Sequence, residues 1–341
     1  MTVTHNILLA GDQFVLNDLL AAELDPDAWN VSRLELPWPH VPFGTVAEVT
    51  EASDVEDALI EALQGVQVCL TQMAPLTSRV LSACPSLELF AVSRGGPVNA
   101  NLRAATAHGV AVTYAPGRNA ESTAEHTLGL MLSAMRRIPF AHNGMVAGRW
   151  ESDRFAYSEA GLEIADSTVG LVGGGAIGGR VAAALTALGA TVLVADPYAT
   201  TLPPGVTQVP LPELLSRSSV VSLHARLTDE TAGMIGTAEL AAMPAGSVLV
   251  NCARGGLLDY PALAAALRSG HLFAAALDVY DEEPLPDDHP LRDAPNVVMT
   301  PHLAGASRPV AARAARMVGA EAARWLAGEP PLNCANPEVL P

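Results

Sequence analysis

A glycine-rich turn between two apolar segments constrains the fold of this chain more than any other feature. The first segment, Val169–Val172, is a short apolar run of the kind found in parallel strands covered on both faces. Gly173, Gly175 and Gly178 follow it in a G-x-G-x-x-G pattern. In that pattern the glycines permit a sharp turn, let a pyrophosphate approach the backbone and let the next helix pack closely on the strand. The stretch predicts a strand, a tight turn and a helix whose N-terminus favours an anion.

An acidic residue follows the second apolar segment, Ala190–Ala195, and its distance from the glycines indicates its role. Asp196 lies 18 residues after Gly178 (196 − 178), near the roughly 20 expected for a carboxylate that accepts ribose hydroxyls. A carboxylate repels a 2′-phosphate, and residues 197–201 contain no Arg to bind one. An ordinary structural turn is the alternative for the glycines alone. With the acid in place, the whole unit predicts a binding site for NAD rather than NADP.

Composition limits the remaining possibilities. The 341 residues allow two domains, and a chain that is 50% hydrophobic and 16% charged is typical of a globular protein. We find neither an apolar run of about 18 residues, as a membrane helix needs, nor a signal-peptide pattern. The four cysteines lack the spacing of metal ligands and are too few for a disulfide framework, so we expect no metal and a cytoplasmic location.

Charge excludes further classes of function. The net charge of −17 argues against nucleic acids and anionic membranes as partners. All 19 basic residues are Arg, so neither a Schiff-base lysine nor a P-loop lysine exists in this chain. An anionic substrate would have to be bound by Arg, His or backbone amides.

Residues 1–117 are predicted to form a first α/β unit. Expected elements are strands at 6–10, 66–70 and 87–92 and helices at 13–24 and 54–63. Arg94, Gly95 and Gly96 follow the last of these strands, in a turn that either exposes amides to an anion or is an ordinary loop. The proline-rich loop 36–44 carries Trp38, His40 and Phe43, which either pack beneath it or cap a substrate cleft.

A helix predicted over 120–137 is apolar on more than one face, which indicates burial between domains or in a subunit interface. His126 within it has the character of a packed, hydrogen-bonded histidine. After Asp196, strands and helices alternate up to about residue 301, which predicts a parallel sheet with helices on both faces. Ligands of such sheets bind beyond the carboxyl ends of the strands.

Four of these strand ends carry chemically useful side chains. They offer His224, then Arg254, then Asp278 with Glu282 and Glu283, and finally His302. Arginine, an acid and histidine above a dinucleotide site are the groups that hydride transfer to a keto acid requires. The arginine binds the substrate carboxylate and polarises the carbonyl, the histidine exchanges the hydroxyl proton, and the acid orients the histidine and raises its pKa.

The chain contains four specific motifs: Gly170-Leu-Val-Gly-Gly-Gly-Ala-Ile-Gly178, Asn251-Cys-Ala-Arg-Gly-Gly-Leu-Leu-Asp259, Ala276-Leu-Asp-Val-Tyr280 with Glu283-Pro284, and Thr300-Pro-His-Leu-Ala-Gly-Ala-Ser307. With them, the chain resembles over nearly its whole length the NAD-dependent D-isomer-specific 2-hydroxyacid dehydrogenases. That family includes phosphoglycerate dehydrogenase and glyoxylate/hydroxypyruvate reductase. The resemblance implies two Rossmann-like domains with doubly wound parallel sheets and the active-site cleft between them. A flavodoxin-like substrate domain would comprise 1–117 plus 304–341, and an NAD-binding domain 118–303. It also implies a homodimer through the helix after Asn119.

The resemblance assigns roles residue by residue. Arg254 would bind the substrate, His302 would be the acid/base and Glu283, which precedes a proline as in the family, would be its partner. The amides of Arg94, Gly95 and Gly96 would bind the substrate carboxylate together with Arg254, and Asp278 would contact the nicotinamide amide. The residues expected along the cofactor are Gly173, Gly175, Ala176, Ile177, Gly178, Asp196, His224, Ala225, Cys252, Ala253, Asp278, His302 and Gly305.

Departures from the family pattern leave the substrate open. The segment Arg94–Asn99 is shortened, Arg226 stands where proline is usual, and Thr71-Gln-Met-Ala74 lacks the arginine of phosphoglycerate-type members. Glyoxylate, hydroxypyruvate or a sugar acid is the expected type of substrate. A D-3-phosphoglycerate dehydrogenase without a regulatory domain is the alternative, and an NAD(H)-sensing binding protein like the family's co-repressors is a remote one. Arg94 or Arg226 would be the contact for a substrate phosphate.

Overall fold

The computed structural model describes residues 5–38 and 44–340. The chain divides into two compact units. Unit 1 comprises the chain up to Asn119 together with the residues from Ala306 on, and unit 2 is Ala120–Gly305. These divisions fall two residues after the predicted boundaries, and the predicted cleft between the domains stays a prediction. Within the described residues, no helix has the length and apolar character needed to span a lipid bilayer.

Strands and helices alternate along most of the described chain. The strands are β1 (His5–Gly11), β2 (Trp29–Glu35), β3 (Val68–Thr71), β4 (Leu89–Val92), β5 (Ala111–Thr113), β6 (Thr168–Val172), β7 (Thr191–Ala195), β8 (Val206–Gln208), β9 (Val220–Leu223), β10 (Ser247–Asn251), β11 (Leu272–Leu277) and β12 (Val297–Met299). The α-helices are α1 (Asn17–Ala21), α2 (Glu56–Ala62), α3 (Ser78–Ala83), α4 (Leu102–Ala107), α5 (Ala120–Met135), α6 (Ile138–Val146), α7 (Ala176–Ala187), α8 (Leu211–Arg217), α9 (Thr237–Ala242), α10 (Tyr260–Arg268) and α11 (Arg308–Leu326).

Unit 1 is built on a parallel sheet with strand order β2-β1-β3-β4-β5, which is the flavodoxin-like order. Successive residues of β1 alternate between its two faces. Ile7 and Leu9 join the apolar core that includes residues of α11, while Leu8 and Ala10 join the core on the opposite face. Because helices cover both faces, the strand is apolar throughout rather than alternating.

Two details of unit 1 differ from the prediction. The helix expected over 13–24 is confined to α1, since the Asp12 carboxylate accepts hydrogen bonds from the amides of Phe14 and Val15, both at 2.8 Å. Those bonds hold a turn that competes with helix. The edge strand β2 escaped prediction because most of its side chains are exposed, which leaves no apolar pattern to detect. In the loop that follows, His40 and Phe43 lie outside the described residues, and Trp38 is 38% exposed.

Unit 2 contains a parallel sheet with strand order β12-β11-β10-β9-β6-β7-β8. Counted from β6, this is the dinucleotide-binding order 3-2-1-4-5-6 with one strand added. The order reverses between β6 and β9, so the carboxyl ends of these strands mark the switch point where ligands bind. Helix α5 packs on α7, β10 and β11 of the same unit, which accounts for much of the apolar surface noted in its sequence.

Candidate active site

The glycines in the turn after β6 are explained by two different causes, packing within the protein and space for a ligand. Gly173 has a φ of +106°, and a Cβ there would lie 2.8 Å from the amide nitrogen of Ala225. A Cβ on Gly178 would lie 2.1 Å from the carbonyl oxygen of Gly173. Gly175, by contrast, has an ordinary φ of −67°, and a Cβ there would meet nothing within 4 Å. Packing therefore explains Gly173 and Gly178, whereas the missing side chain of Gly175 leaves space beside the start of α7 for a phosphate group.

Asp196 follows β7 and borders a cavity. One carboxylate oxygen accepts a hydrogen bond from the amide of Gly174 at 2.8 Å, and the other accepts one from the amide of Tyr198 at 2.8 Å. The neighbouring cavity has a volume of about 430 Å³ and is lined by Val172, Ala195, Asp196, Pro197, Gln208, Val209, Pro210, Leu211 and Met234. This mostly apolar lining suits an adenine ring, and none of these residues is a cation that could bind a 2′-phosphate. The residues present thus fit the adenosine half of NAD.

The loop after β12 holds His302 against Glu283. His302 has a φ of +54°, a left-handed conformation that is uncommon for a residue with a side chain. Its amide donates hydrogen bonds to the carbonyl oxygens of Asp278 at 2.8 Å and Thr300 at 3.1 Å. Its Nδ1 lies 2.8 Å from Oε2 of Glu283, and Oε1 of Glu283 accepts a hydrogen bond from the amide of Tyr280 at 3.0 Å. The imidazole is thereby oriented through Nδ1, so Nε2 is the ring nitrogen left for proton exchange.

The two groups shift each other's protonation. The hydrogen bond and charge of Glu283 raise the pKa of His302 above its ordinary value, against the opposing effect of partial burial. Burial acts to raise the pKa of Glu283, but the hydrogen bond and charge of His302 outweigh it, so that the pKa is lowered overall. Both shifts favour an imidazolium paired with a carboxylate, which is the state that a proton donor requires.

Arg254 stands in the turn after β10, and a buried asparagine shapes that turn. The side chain of Asn251 donates to the carbonyl oxygen of Arg254 at 3.0 Å and accepts from the amide of Ala253 at 3.0 Å. A Cβ on the next residue, Gly255, would lie 1.7 Å from the carbonyl oxygen of Tyr280, so only glycine lets this turn approach the segment that carries Glu283. The guanidinium of Arg254 is exposed, and its charge lowers the pKa of both Glu283 and His302. The structure thus brings Arg254, Glu283 and His302 together within unit 2.

Asp278 and His126 stabilise the loop that contains His302. Asp278 is fully buried and accepts hydrogen bonds from the hydroxyl of Thr300 at 2.6 Å and from the amides of Leu303 and Ala304, both at 2.8 Å. His126 Nε2 lies 3.1 Å from the Thr300 hydroxyl oxygen and 3.4 Å from Asp278 Oδ1. The expected contact of Asp278 with nicotinamide stays a prediction, since its oxygens hold the loop here. No sequence pattern revealed that His126 joins this group.

Other residues expected along the cofactor lie at the carboxyl edge of the same sheet. The amide of His224 donates to the carbonyl oxygen of Val172 at 2.8 Å, which joins the ends of β9 and β6. Burial lowers the pKa of His224 to about 4, so this imidazole is neutral at pH 7. Burial raises the pKa of Cys252 to about 12, so its thiol stays protonated. Ala225 and Ala253 directly follow His224 and Cys252, Ala176 and Ile177 begin α7, and Gly305 ends unit 2.

In unit 1, the turn after β4 contains the predicted anion-binding amides. Gly95 and Gly96 have no positive φ, and a Cβ on either would meet nothing within 4 Å. Neither backbone conformation nor packing requires glycine there, so these positions leave open space in which a ligand can reach the backbone. The guanidinium of Arg94 is already engaged, because it pairs with the carboxylate of Glu51 and donates to the Glu51 carbonyl oxygen at 3.1 Å.

Comparison with known proteins agrees with this geometry. Residues 128–304 match the family model described as D-isomer specific 2-hydroxyacid dehydrogenase, NAD binding domain. The chain is 37% identical over 268 residues to D-3-phosphoglycerate dehydrogenase of Archaeoglobus fulgidus, covering 78% of this chain but only 50% of that protein. It is 35% identical over 296 residues to glyoxylate reductase of Korarchaeum cryptofilum, covering 85% of this chain and 89% of the relative.

Among solved structures, the TT0316 protein of Thermus thermophilus superposes with a TM-score of 0.81 at 32% identity, covering 97% of this chain and 99% of that one. The chain spans about half the length of the phosphoglycerate dehydrogenases that it matches, 50–52%, and nearly the full length of the reductase. With this match over the glycine turn, Arg254, Glu283 and His302, the chain belongs to the D-isomer specific 2-hydroxyacid dehydrogenase family, and unit 2 contains its NAD-binding domain.

Proposed function

We propose that this protein is an NAD-dependent oxidoreductase that interconverts a small 2-keto acid and its D-2-hydroxy acid. The observation that carries the proposal is the pairing of His302 with Glu283 at 2.8 Å, close enough to Arg254 for its charge to act on both. The name of the glyoxylate reductase that matches nearly full length supports the same reaction class. Glyoxylate, hydroxypyruvate or a sugar acid is the substrate type that we propose.

Different residues of this chain would perform different parts of the reduction. Bound NADH would supply the hydride. Arg254 would bind the substrate carboxylate and polarise the carbonyl, and His302 would donate a proton from Nε2 to the carbonyl oxygen as that oxygen becomes a hydroxyl. Glu283 raises the pKa of His302 and so favours its charged form. In unit 1, the amides at Arg94, Gly95 and Gly96 would hold the carboxylate, which the open space at the two glycines supports.

Oxidation of NADH, followed by its absorbance, tests the proposal against a panel of 2-keto acids with and without a terminal phosphate. We expect His302→Asn to reduce kcat by roughly 10²–10⁴-fold while NADH binding, measured by calorimetry, is retained. His108→Asn is the matched control, because His108 follows α4 in unit 1 and bonds to the backbone of that helix. An active His302→Asn protein, or NADH binding without turnover of any panel member, would contradict the proposal.

A D-3-phosphoglycerate dehydrogenase is the second candidate, favoured by the relatives of that name. The segment Thr71–Ala74 lacks the arginine expected of that type. The same panel separates the two candidates, since the second requires strong preference for the phosphorylated member of each pair.

We further propose a cytoplasmic homodimer. The four cysteines are unpaired thiols in this structure, which suits a reducing compartment. The segment directly after α5 exposes large apolar side chains in unit 2, with Val146 at 73%, Trp150 at 81% and Phe155 at 96% exposure. Large apolar side chains that are exposed to this degree are typical of interfaces. Light scattering should give twice the chain mass of 35.3 kDa, and replacing Trp150 and Phe155 by Ser should yield monomers.

A further inference from the structure

The loop after β5 in unit 1 contains a half-buried arginine, Arg118, whose guanidinium lies over the ring of Phe14 at 5.9 Å but is not fully hydrogen-bonded. Nε and Nη1 of Arg118 are buried, and neither has a hydrogen-bond partner in the described part of the chain. Burial, together with the charge of Arg94, lowers the pKa of Arg118 to about 10, against the opposing effect of Asp12. The group is therefore still a cation at pH 7. A buried guanidinium with unpaired N–H groups is costly unless an acceptor completes it.

Nearby carboxylates do not accept hydrogen bonds from these two N–H groups of Arg118. Asp12 is fully buried, and its Oδ1 is occupied by the amides of Phe14 and Val15. Its Oδ2 has no partner, and no ion pair joins it to Arg118 within the described residues. Burial raises the pKa of Asp12, which disfavours its charged form. The carboxylate of Glu51 pairs with Arg94. Arg118 is thus the cation here whose N–H groups are left for a ligand.

Arg118 is tied to the predicted substrate-binding turn. The amide of Ala115, at the start of the loop, donates to the carbonyl oxygen of Arg94 at 2.6 Å. That bond joins the loop of Arg118 to the turn containing Gly95 and Gly96. Both lie at the carboxyl edge of the sheet, where ligands of such sheets bind.

Further unsatisfied polar atoms lie at the same edge of unit 1. They follow or end three of its strands and are buried with no hydrogen-bond partner among the residues 5–38 and 44–340: Gln72 Oε1 after β3, Ser93 Oγ after β4 and Thr113 Oγ1 in β5. Buried polar groups are normally bonded. Such atoms at the ends of three neighbouring strands, together with the N–H groups of Arg118 in the loop after β5, indicate that a polar, negatively charged ligand completes this edge.

We propose that Arg118 binds a second anionic group, a carboxylate or a phosphate, at the end of the 2-hydroxy acid distant from its reacting carbon. The inference rests on the proposed function and narrows its substrate class to acids with two negative groups. The sequence suggested Arg94 or Arg226 as the contact for a substrate phosphate. In unit 1 the guanidinium of Arg94 is paired with Glu51, so the proposal assigns the distal contact to Arg118 instead.

Matched substrate pairs test this role. The first pair is 2-oxoglutarate and 2-oxopentanoate, which share a five-carbon chain and differ in a distal carboxylate. The second is 3-phosphohydroxypyruvate and hydroxypyruvate, which differ in a phosphate. We expect the parent protein to prefer the anionic member of one pair, and that pair identifies the group. Arg118→Gln should lower kcat/KM for this member by roughly 10–100-fold, the range for a charge-assisted hydrogen bond, and change the neutral member by less than about threefold.

Two further variants complete the design. Arg118→Lys retains the charge and should recover part of the preference, and it also serves if Arg118→Gln does not fold. Arg103→Gln, in an exposed position of α4 in the same unit, should leave both members unchanged. Equal losses for both members of a pair would overturn the proposal, since Arg118 would then act on the shared carboxylate or on the fold. A parent protein without preference in either pair would overturn it as well.

A binding measurement separates this inference from the proposed function. If the parent turns over no 2-keto acid, the proposed function fails, but glutarate or inorganic phosphate at constant ionic strength should still raise the Tm of the parent and not that of Arg118→Gln. Absence of any such rise in the parent would overturn the assignment of Arg118.

Discussion

Replacing Glu283 by glutamine removes one negative charge from the site and nearly preserves the shape of the side chain. In the parent, Oε2 of Glu283 lies 2.8 Å from Nδ1 of His302, and this contact is the largest cause of the raised pKa of His302. A neutral amide can still accept a hydrogen bond at this distance. It no longer favours the imidazolium over the neutral ring by its charge.

The expected loss follows from the kind of hydrogen bond. A bond to a charged group contributes about 1.5–3 kcal/mol and a neutral one about 0.5–1.5 kcal/mol. Since the His302 side chain is 52% exposed, solvent screening places the difference near the lower end, about 1 kcal/mol. At about 1.36 kcal/mol per tenfold in rate, kcat for reduction should fall roughly fivefold at a pH where His302 of the parent is protonated.

The pH profile gives the sharper test. Reduction needs the protonated imidazole, so its rate falls as pH rises through the pKa of His302, which lies above its ordinary 6.5 in the parent. In Glu283→Gln this alkaline limb of kcat should move to lower pH. For oxidation, which needs the neutral ring, the acidic limb should move to lower pH too. Glu282→Gln, an exposed neighbour, is the control. An alkaline limb that stays in place in Glu283→Gln would refute the reasoning.

Two further predictions concern the cofactor site. A Cβ would enter open space at Gly175 but lie 2.1 Å from the Gly173 carbonyl oxygen at Gly178, so Gly175→Ala should weaken NADH binding with little change in Tm, whereas Gly178→Ala should lower Tm by several degrees. Calorimetry and thermal unfolding check both, and equal Tm losses would contradict the distinction. Asp196→Ser removes the carboxylate beside the adenosine cavity and should raise the ratio of NADPH to NADH kcat/KM by about tenfold, through lost repulsion of the 2′-phosphate. An unchanged ratio would show that Asp196 does not discriminate between the cofactors.

The local sequence pattern was sufficient to predict an element where its apolar positions follow one another regularly along the chain. The bounds of β1, β4 and α5 lie within two residues of the predicted ranges 6–10, 87–92 and 120–137, since each is an uninterrupted segment between turn signals. Prediction failed at α1 and β2, where a side-chain bond from Asp12 and pairing along an exposed edge outweighed the local preference. Both effects depend on neighbours that a window of sequence does not contain.

The sequence alone identified the glycine turn, the acid after β7 and the residues Arg254, Glu283 and His302, because each stands in a short motif with a chemical requirement. Only the tertiary structure decided which groups meet. It paired Nδ1 of His302 with Glu283 and turned Asp278 inward to hold the loop. Among the described residues, it left Nε and Nη1 of Arg118 without an acceptor while engaging the guanidinium of Arg94. The physical reason is that hydrogen bonding and burial depend on distance in space, so residues far apart in the chain acquire their protonation and their free N–H groups only after folding.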